Sequence, residues 1–579
     1  MRSSHAKFKQ WRHFVAAAMA PVLLFGCTSM PAHKAQGAGG GAQPLQKLTV
    51  ATPDADHDVA ALLMQAEFAL GKGDLKTAQA QYAKASALSS DPDVARRAVG
   101  LALALHDSAA AQRSLARWQA LGADASDLQR ARAQIALDQG RTADAQKELM
   151  AMTAHGGKQS WQDFGKVLLS ARDAAQAGRL LENVATEQRL PDDGLAWLAM
   201  SELGQKLGRY AYAQRIADAA ATRFHTGQAY AWAANMYAQR GEDAKARTLY
   251  AKAVKASPKN ADIRLAYAGL LAKNGDTKGA ESVLAKGPQD ARSFAARAAF
   301  AARGKDLPAL RRIYGELVKA PDEVRQSSYY LLGQLASLLD KPQAAVDWLA
   351  KVPADDEHAF DAGVRRAVLL QQLGKSDQAH ALVRQMREDN ADKSDVVQHL
   401  DQVDAELYMR DSAFAEAAKA YTRALAADKE DAELLYGRGL AYAEAGDTDA
   451  AIADLRAVLK LTPDDINAVN ALGYTLADAG RHLDEATKLI ERARAALPND
   501  PAITDSWGWL QYRLGHLDKA ETALQTAWSK RPDPEVGAHL TQVLLDLGRR
   551  AQAEKVYRAA LKLDPDNRHL LALKEKLKP

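Results

Sequence analysis

The segment DDINAVNALGYTLADAGRHLDEATKLIERARAALP, residues 464–498, decides the fold. Val469, Leu472 and Leu476 recur at helical spacing before Gly480, and Ala486, Leu489, Ile490 and Ala493 do the same before Pro498. This period predicts two amphipathic helices with a short turn at Gly480, and Pro498 ends the second because proline brings no amide donor. The same text returns downstream as Gly508, Gly515, Ala520, Leu524, Ala527 and Pro532, then as Gly548, Ala553, Tyr557, Ala560 and Pro565. Upstream it reads Gly439, Tyr442, Gly446, Asp447, Ala451, Leu455 and Pro463. The four prolines stand 35, 34 and 33 residues apart. A period of about 34 residues indicates stacked helical hairpins rather than one globular core.

Small residues fall where two helices must approach closely. Gly439, Gly473 and Gly508 do so in first helices, and Ala451, Ala486 and Ala520 in second helices. Leu455, Ile490, Leu524 and Tyr557 fill the space beyond. One hairpin cannot bury its apolar stripe alone, so neighbours must stack. The pattern extends upstream through a full copy at Tyr230, Ala234, Tyr237, Gly241, Ala246, Tyr250, Ala253 and Pro258, and through partial ones such as Gly73 with Ala78 and Gly374 with Ala379. It resembles the tetratricopeptide repeat, whose residue offsets it follows. That resemblance implies an all-α, right-handed superhelical solenoid of roughly 15 hairpins between about residues 59 and 566. The reading divides the chain into an N-terminal array (59–288), a degenerate array (289–425), a regular C-terminal array (426–566) and a capping helix (567–579).

The first 26 residues stand outside this pattern. Arg2, Lys7, Lys9 and Arg12 precede an apolar run, Phe14–Phe25, that is short for a membrane span. Leu24-Phe25-Gly26-Cys27 then resembles a bacterial lipoprotein signal, which implies lipidation of Cys27 as the first mature residue. Thr28, rather than aspartate, implies sorting to the outer membrane, with the protein facing the periplasm. Cys27 is the only cysteine, so no intramolecular disulfide or cysteine metal cluster can form. Residues 28–58, rich in glycine and proline, read as a tether of roughly 30 Å on average and about 100 Å when stretched. The formal charge of +4 falls to about zero once the four basic signal residues are removed, which leaves no overall field for nucleic acid.

Catalytic signatures are missing from the sequence. There is no HExxH, Walker-type loop or GxSxG elbow. Gly374-Lys375-Ser376 falls at a hairpin turn, and Asp54, Asp56, His57 and Asp58 read as a cap for the first helix rather than a metal site. No catalytic residue, metal, cofactor or small-molecule substrate is expected, and an enzyme with an unrecognised site is the reading of a different class.

Binding is better marked. By resemblance to the family, the second, fifth, ninth, twelfth and thirteenth places of each first helix face a ligand on the concave side. Two consecutive blocks place Asn467, Asn470, Tyr474 and Asp478, then Asp505, Trp509, Tyr512 and Arg513, at such positions. Aromatic rings interleaved with polar groups suit interface anchors, whereas Trp507 reads as core. Asn235 lacks the neighbouring lysines that a carboxylate clamp would need. The wording of residues 470–478 and 505–515, with the lipoprotein signal, resembles tetratricopeptide outer-membrane lipoproteins that act as adaptors of a periplasmic carboxyl-terminal processing protease. The resemblance implies a non-enzymatic scaffold, held to the membrane only by its lipid, whose partners are that protease and its cell-wall hydrolase substrates. The alternative is a scaffold for exopolysaccharide export or pilus assembly.

Overall fold

The computed structural model describes residues 56–154 and 157–577. The signal segment, Cys27 and all but the last residues of the tether lie outside the described residues. Among those described there are 32 α-helices and no strand. Twenty-eight of the helices pair into fourteen hairpins, from Val59–Gly71 with Leu75–Leu88 to Pro534–Asp546 with Arg550–Leu561, close to the roughly 15 expected. The four left over are Ala291–Arg303, Leu307–Val318, the short Asp322–Gln326 and the terminal Arg568–Leu573, which a 3₁₀ turn, Glu575–Leu577, follows. The hairpins belong to two compact units, one ending at Lys305 and one beginning at Asp306.

Helix starts follow from aspartates. Asp465 accepts the amides of Asn467 (2.9 Å) and Ala468 (3.2 Å), and Asp500 those of Ala502 (2.8 Å) and Ile503 (3.1 Å), so otherwise orphaned donors are satisfied. Asp58 caps the first helix through Ala60 at 2.9 Å, and Asp56 pairs with Lys84 at 3.0 Å. First helices end in a left-handed residue, glycine at Gly446 (φ 86°) and Gly548 (φ 73°). The next amide then reaches back five residues, as in Asp447 N–H to Tyr442 C=O at 2.9 Å. Three hairpins make the same turn without glycine, at His106, Asp340 and Ser412.

Within hairpins the small residues set the helix separation. A Cβ on Gly473 would stand 2.7 Å from Ile490 Cγ1, and one on Gly508 would stand 2.7 Å from Leu524 Cγ. Ala486, Ile490, Ala520 and Leu524 are fully buried. Where this apolar fit fades, charge takes its place. In the first unit Arg297 is 1% exposed and its Nε donates to Glu281 at 3.0 Å. In the second, Asp401 lies between Arg387 (3.1 Å) and Arg423 (2.9 Å), while Asp404 binds Arg423 (2.8 Å) and His380 (2.6 Å).

Two stability predictions follow from these contacts. Arg297→Ala, which removes a buried guanidinium bonded to Glu281 and Gln289, is expected to cost about 3–5 kcal/mol. Replacing both residues with apolar ones should recover most of that loss, as read from urea midpoints. Gly508→Leu should cost about 1–3 kcal/mol by overpacking against Leu524, while Gly515→Asn, at an open turn, should shift the midpoint far less.

Candidate binding groove of the C-terminal repeats

Three consecutive first helices carry the cluster: Ile466–Asp478, Pro501–Arg513 and Pro534–Asp546. Their common length and turn chemistry align Tyr474 with Trp509 and Gln542, one repeat apart. The Trp509 indole Nε1–H donates to Asp478 Oδ1 at 2.9 Å. Its ring stacks on His539, centroids 4.1 Å apart, and on Tyr512 at 4.8 Å. Tyr474 hydroxyl donates to Glu535 Oε1 at 2.6 Å and lies 3.3 Å from His539 Nε2. The other histidine nitrogen, Nδ1, lies 3.1 and 3.2 Å from the two Asp505 oxygens. Tyr512 donates to Asp546 at 2.7 Å, an acceptor shared with Gln542 at 2.8 Å.

The electrostatics follow from this crowding. Burial pulls the His539 imidazole down, but Asp505, Glu535 and Asp478 outweigh it and hold the group above its usual 6.5. For Asp505 burial dominates and raises the carboxyl despite His539. Burial also pushes Glu535 up, yet His539, the Tyr474 hydroxyl, His569 and Arg568 leave it below the ordinary range. Tyr474 is driven well upward by burial and then by Glu535, Asp478 and Asp505, and Tyr512 is raised to about 12 by burial and its bond to Asp546. The arrangement is an aromatic stack whose every polar edge meets a carboxylate or a histidine, the chemistry of a recognition surface.

Five of the eight expected groove residues meet here: Tyr474, Asp478, Asp505, Trp509 and Tyr512. Trp509, expected on an open wall, is only 9% exposed, because His539 and Tyr512 flank its ring. Trp507 is half-buried, packed against the apolar cluster around Leu472 and Ile490 with Arg494 4.8 Å from its ring. Asn467 and Arg513 are exposed, and Arg513 turns toward Gly480 rather than into the stack. Asn470 is half-buried, and its enclosed Oδ1 has no hydrogen-bond partner. Glu535, Gln542 and Asp546 were missed because the five-place ruler stopped one repeat short; applied to Pro534–Asp546, it selects all three. His539 occupies the sixth place, which that ruler turns away from the ligand, so no offset signalled it.

The tetratricopeptide-repeat family matches residues 400–466, 442–501, 237–304 and 511–577. The chain carries tetratricopeptide repeats. Over 215 residues it is 35% identical to TPR repeat-containing protein PA4667 of Pseudomonas aeruginosa, covering 37% of this chain and 36% of that one. Over 80 residues it is 35% identical to bacteriophage adsorption protein A of Escherichia coli, 14% of this chain and 8% of that one. The matches thus span about a third or less of those curated relatives. Among solved structures it is similar to a tetratricopeptide repeat protein of Parabacteroides merdae (TM-score 0.38, 15% identity, 44% of this chain and 97% of that one). It is also similar to yeast Tom70 (TM-score 0.30, 14% identity, 66% and 89%). Proteins built from these repeats are generally non-catalytic scaffolds that bind other proteins.

The raised His539 yields a pH prediction. A histidine that holds its proton more tightly when folded contributes stability fully below its unfolded value of 6.5. That contribution is lost as pH rises through the higher folded-state value. The stability gap between wild type and His539→Gln is therefore expected to be widest in mild acid and to narrow through neutral toward alkaline pH. Urea titrations of both proteins across that range check it, and a constant gap would contradict the assignment.

Proposed function

We propose that this chain is a non-enzymatic adaptor of the bacterial envelope, anchored to the outer membrane through a lipid on Cys27 and facing the periplasm. The observation that supports it best is the aromatic–carboxylate cluster carried on successive first helices of stacked hairpins, since such surfaces hold protein segments. The partners proposed are a carboxyl-terminal processing protease and its cell-wall hydrolase substrates. This finer reading is supported by the resemblance of residues 470–478 and 505–515 together with the lipoprotein-type start. A tethered scaffold that binds both raises their local concentration and makes their encounter nearly intramolecular. The second reading is a scaffold for exopolysaccharide export or pilus assembly, and the 80-residue likeness to bacteriophage adsorption protein A supports only a role other than protease recruitment.

Cross-linking in intact envelopes followed by mass spectrometry separates the two. A periplasmic protease and wall hydrolases are expected among the cross-linked partners, and the Trp509→Ala, Tyr512→Ala double variant should reduce their yield at least fivefold. Recovery of export or pilus components instead would favour the second reading, and unchanged yields from the double variant would remove the groove from the account. Cys27→Ser should shift the chain from the membrane to the soluble periplasmic fraction.

A further inference from the structure

The terminal helix does more than cap the last repeat. Leu570 and Leu573 pack with Ala538, Tyr557 and Ala560, as a cap must. The first two residues of the helix turn elsewhere. Arg568 donates through Nη1 to the main-chain carbonyl of Glu444, 124 residues away, and its Nη2 lies 3.1 Å from Glu444 Oε2. Beside it, the His569 ring meets the edge of His539, centroids 6.1 Å apart at 70°. Further along, Lys576 Nζ donates to Gln542 Oε1 at 2.8 Å.

We propose that Arg568 and Glu444 form a clasp that holds the terminal segment over the Trp509–His539 cluster, so that a partner gains the cluster only when the clasp opens. This rests on the reading of the cluster as the partner groove. Three features carry the inference. Stacked repeats need contacts only between neighbours, yet this contact joins the end of the helix Ala432–Ala445 to a segment beyond three further hairpins. It is therefore an addition to the fold rather than a requirement of it. The joined side chains are 44% and 35% exposed, and ion pairs so placed are weak and screened by salt. Such a contact can release while the hairpins stay folded. Beneath it, Asp505 is 6% and Trp509 9% exposed at places that the family resemblance assigns to ligand, and His539, 2% exposed, stacks on Trp509. The charged groups around the clasp are Glu444, Asp478, Asp505 and Glu535 from four repeats, with His539, so Arg568 brings positive charge to an acidic mouth, while burial holds His569 below its usual value.

Histidine C2 hydrogen–deuterium exchange on the full chain, read by mass spectrometry, tests this without any partner. His539 is expected to exchange slowly in the wild type and at least tenfold faster in Arg568→Ala. His380, which is 6% exposed in the same unit but bonded to Asp404, should not change. If both histidines accelerate, the variant has lost its fold, and Glu444→Gln decides, because it removes only the carboxylate and keeps the main-chain acceptor. Faster exchange at His539 alone in Glu444→Gln supports the clasp, and an unchanged rate there overturns it. A failed clasp would leave the cross-linking result standing, so the two readings fail separately.

Discussion

Close approach of the two helices inside each hairpin is the constraint on which the rest of this structure depends. At Gly473 and Gly508 the second helix comes so near that Ile490 and Leu524 occupy the space of a missing side chain. That distance fixes which face of each first helix is covered by its partner and which is left over. It also fixes the phase of the next hairpin, because the alanines opposite, Ala486 and Ala520, leave no slack. A repeat array has no shared core to average out errors, so each hairpin's stability is passed to its neighbours. The alignment of Tyr474, Trp509 and Gln542 on successive helices is the direct consequence of repeating one tight contact.

The middle of the chain keeps the architecture while changing the interaction. The degenerate copies from Tyr329 to Ala424 retain their hairpins, but ionic contacts stand in for part of the small-against-large fit. Arg297 with Glu281, and Arg423 with Asp401 and Asp404, join helices that are neighbours in the stack. Buried charges must be paired, and a paired guanidinium makes several directional bonds at once. The pairing therefore specifies register as firmly as an alkyl contact, at the cost of desolvating both partners. His380 extends the same device: Tyr408 stacks on it at 3.8 Å and Asp404 orients its Nδ1.

The candidate groove applies that logic on the ligand-facing side. An aromatic stack alone would be a sticky surface; here each ring edge is tied to an acid or to His539, so the rings are held in one arrangement before any partner arrives. Ordering the side chains in advance lowers the entropy lost on binding. It also concentrates negative charge where the terminal segment places Arg568 and His569. The chain thus combines rigid anchors with a weakly held cover, two properties that a scaffold needs if it is to be selective and still release what it holds.

Periodicity alone was enough to establish the all-helical repeats and the small residues at which helices meet, because those contacts join elements adjacent in the chain and recur with its period. Hairpins turning at His106, Asp340 and Ser412 were less legible, since a left-handed turn leaves a sequence mark only when it uses glycine. Tyr474, Asp478, Asp505, Trp509 and Tyr512 were legible as a strip because they sit at repeated offsets. Their bonds to Glu535, Asp546 and each other were not, and neither was the place of His539. Tyr474 reaches Glu535 across 61 residues and Arg568 reaches Glu444 across 124. Such meetings depend on the small rotation that each stacked hairpin adds to the last, and only the assembled tertiary structure sums those rotations.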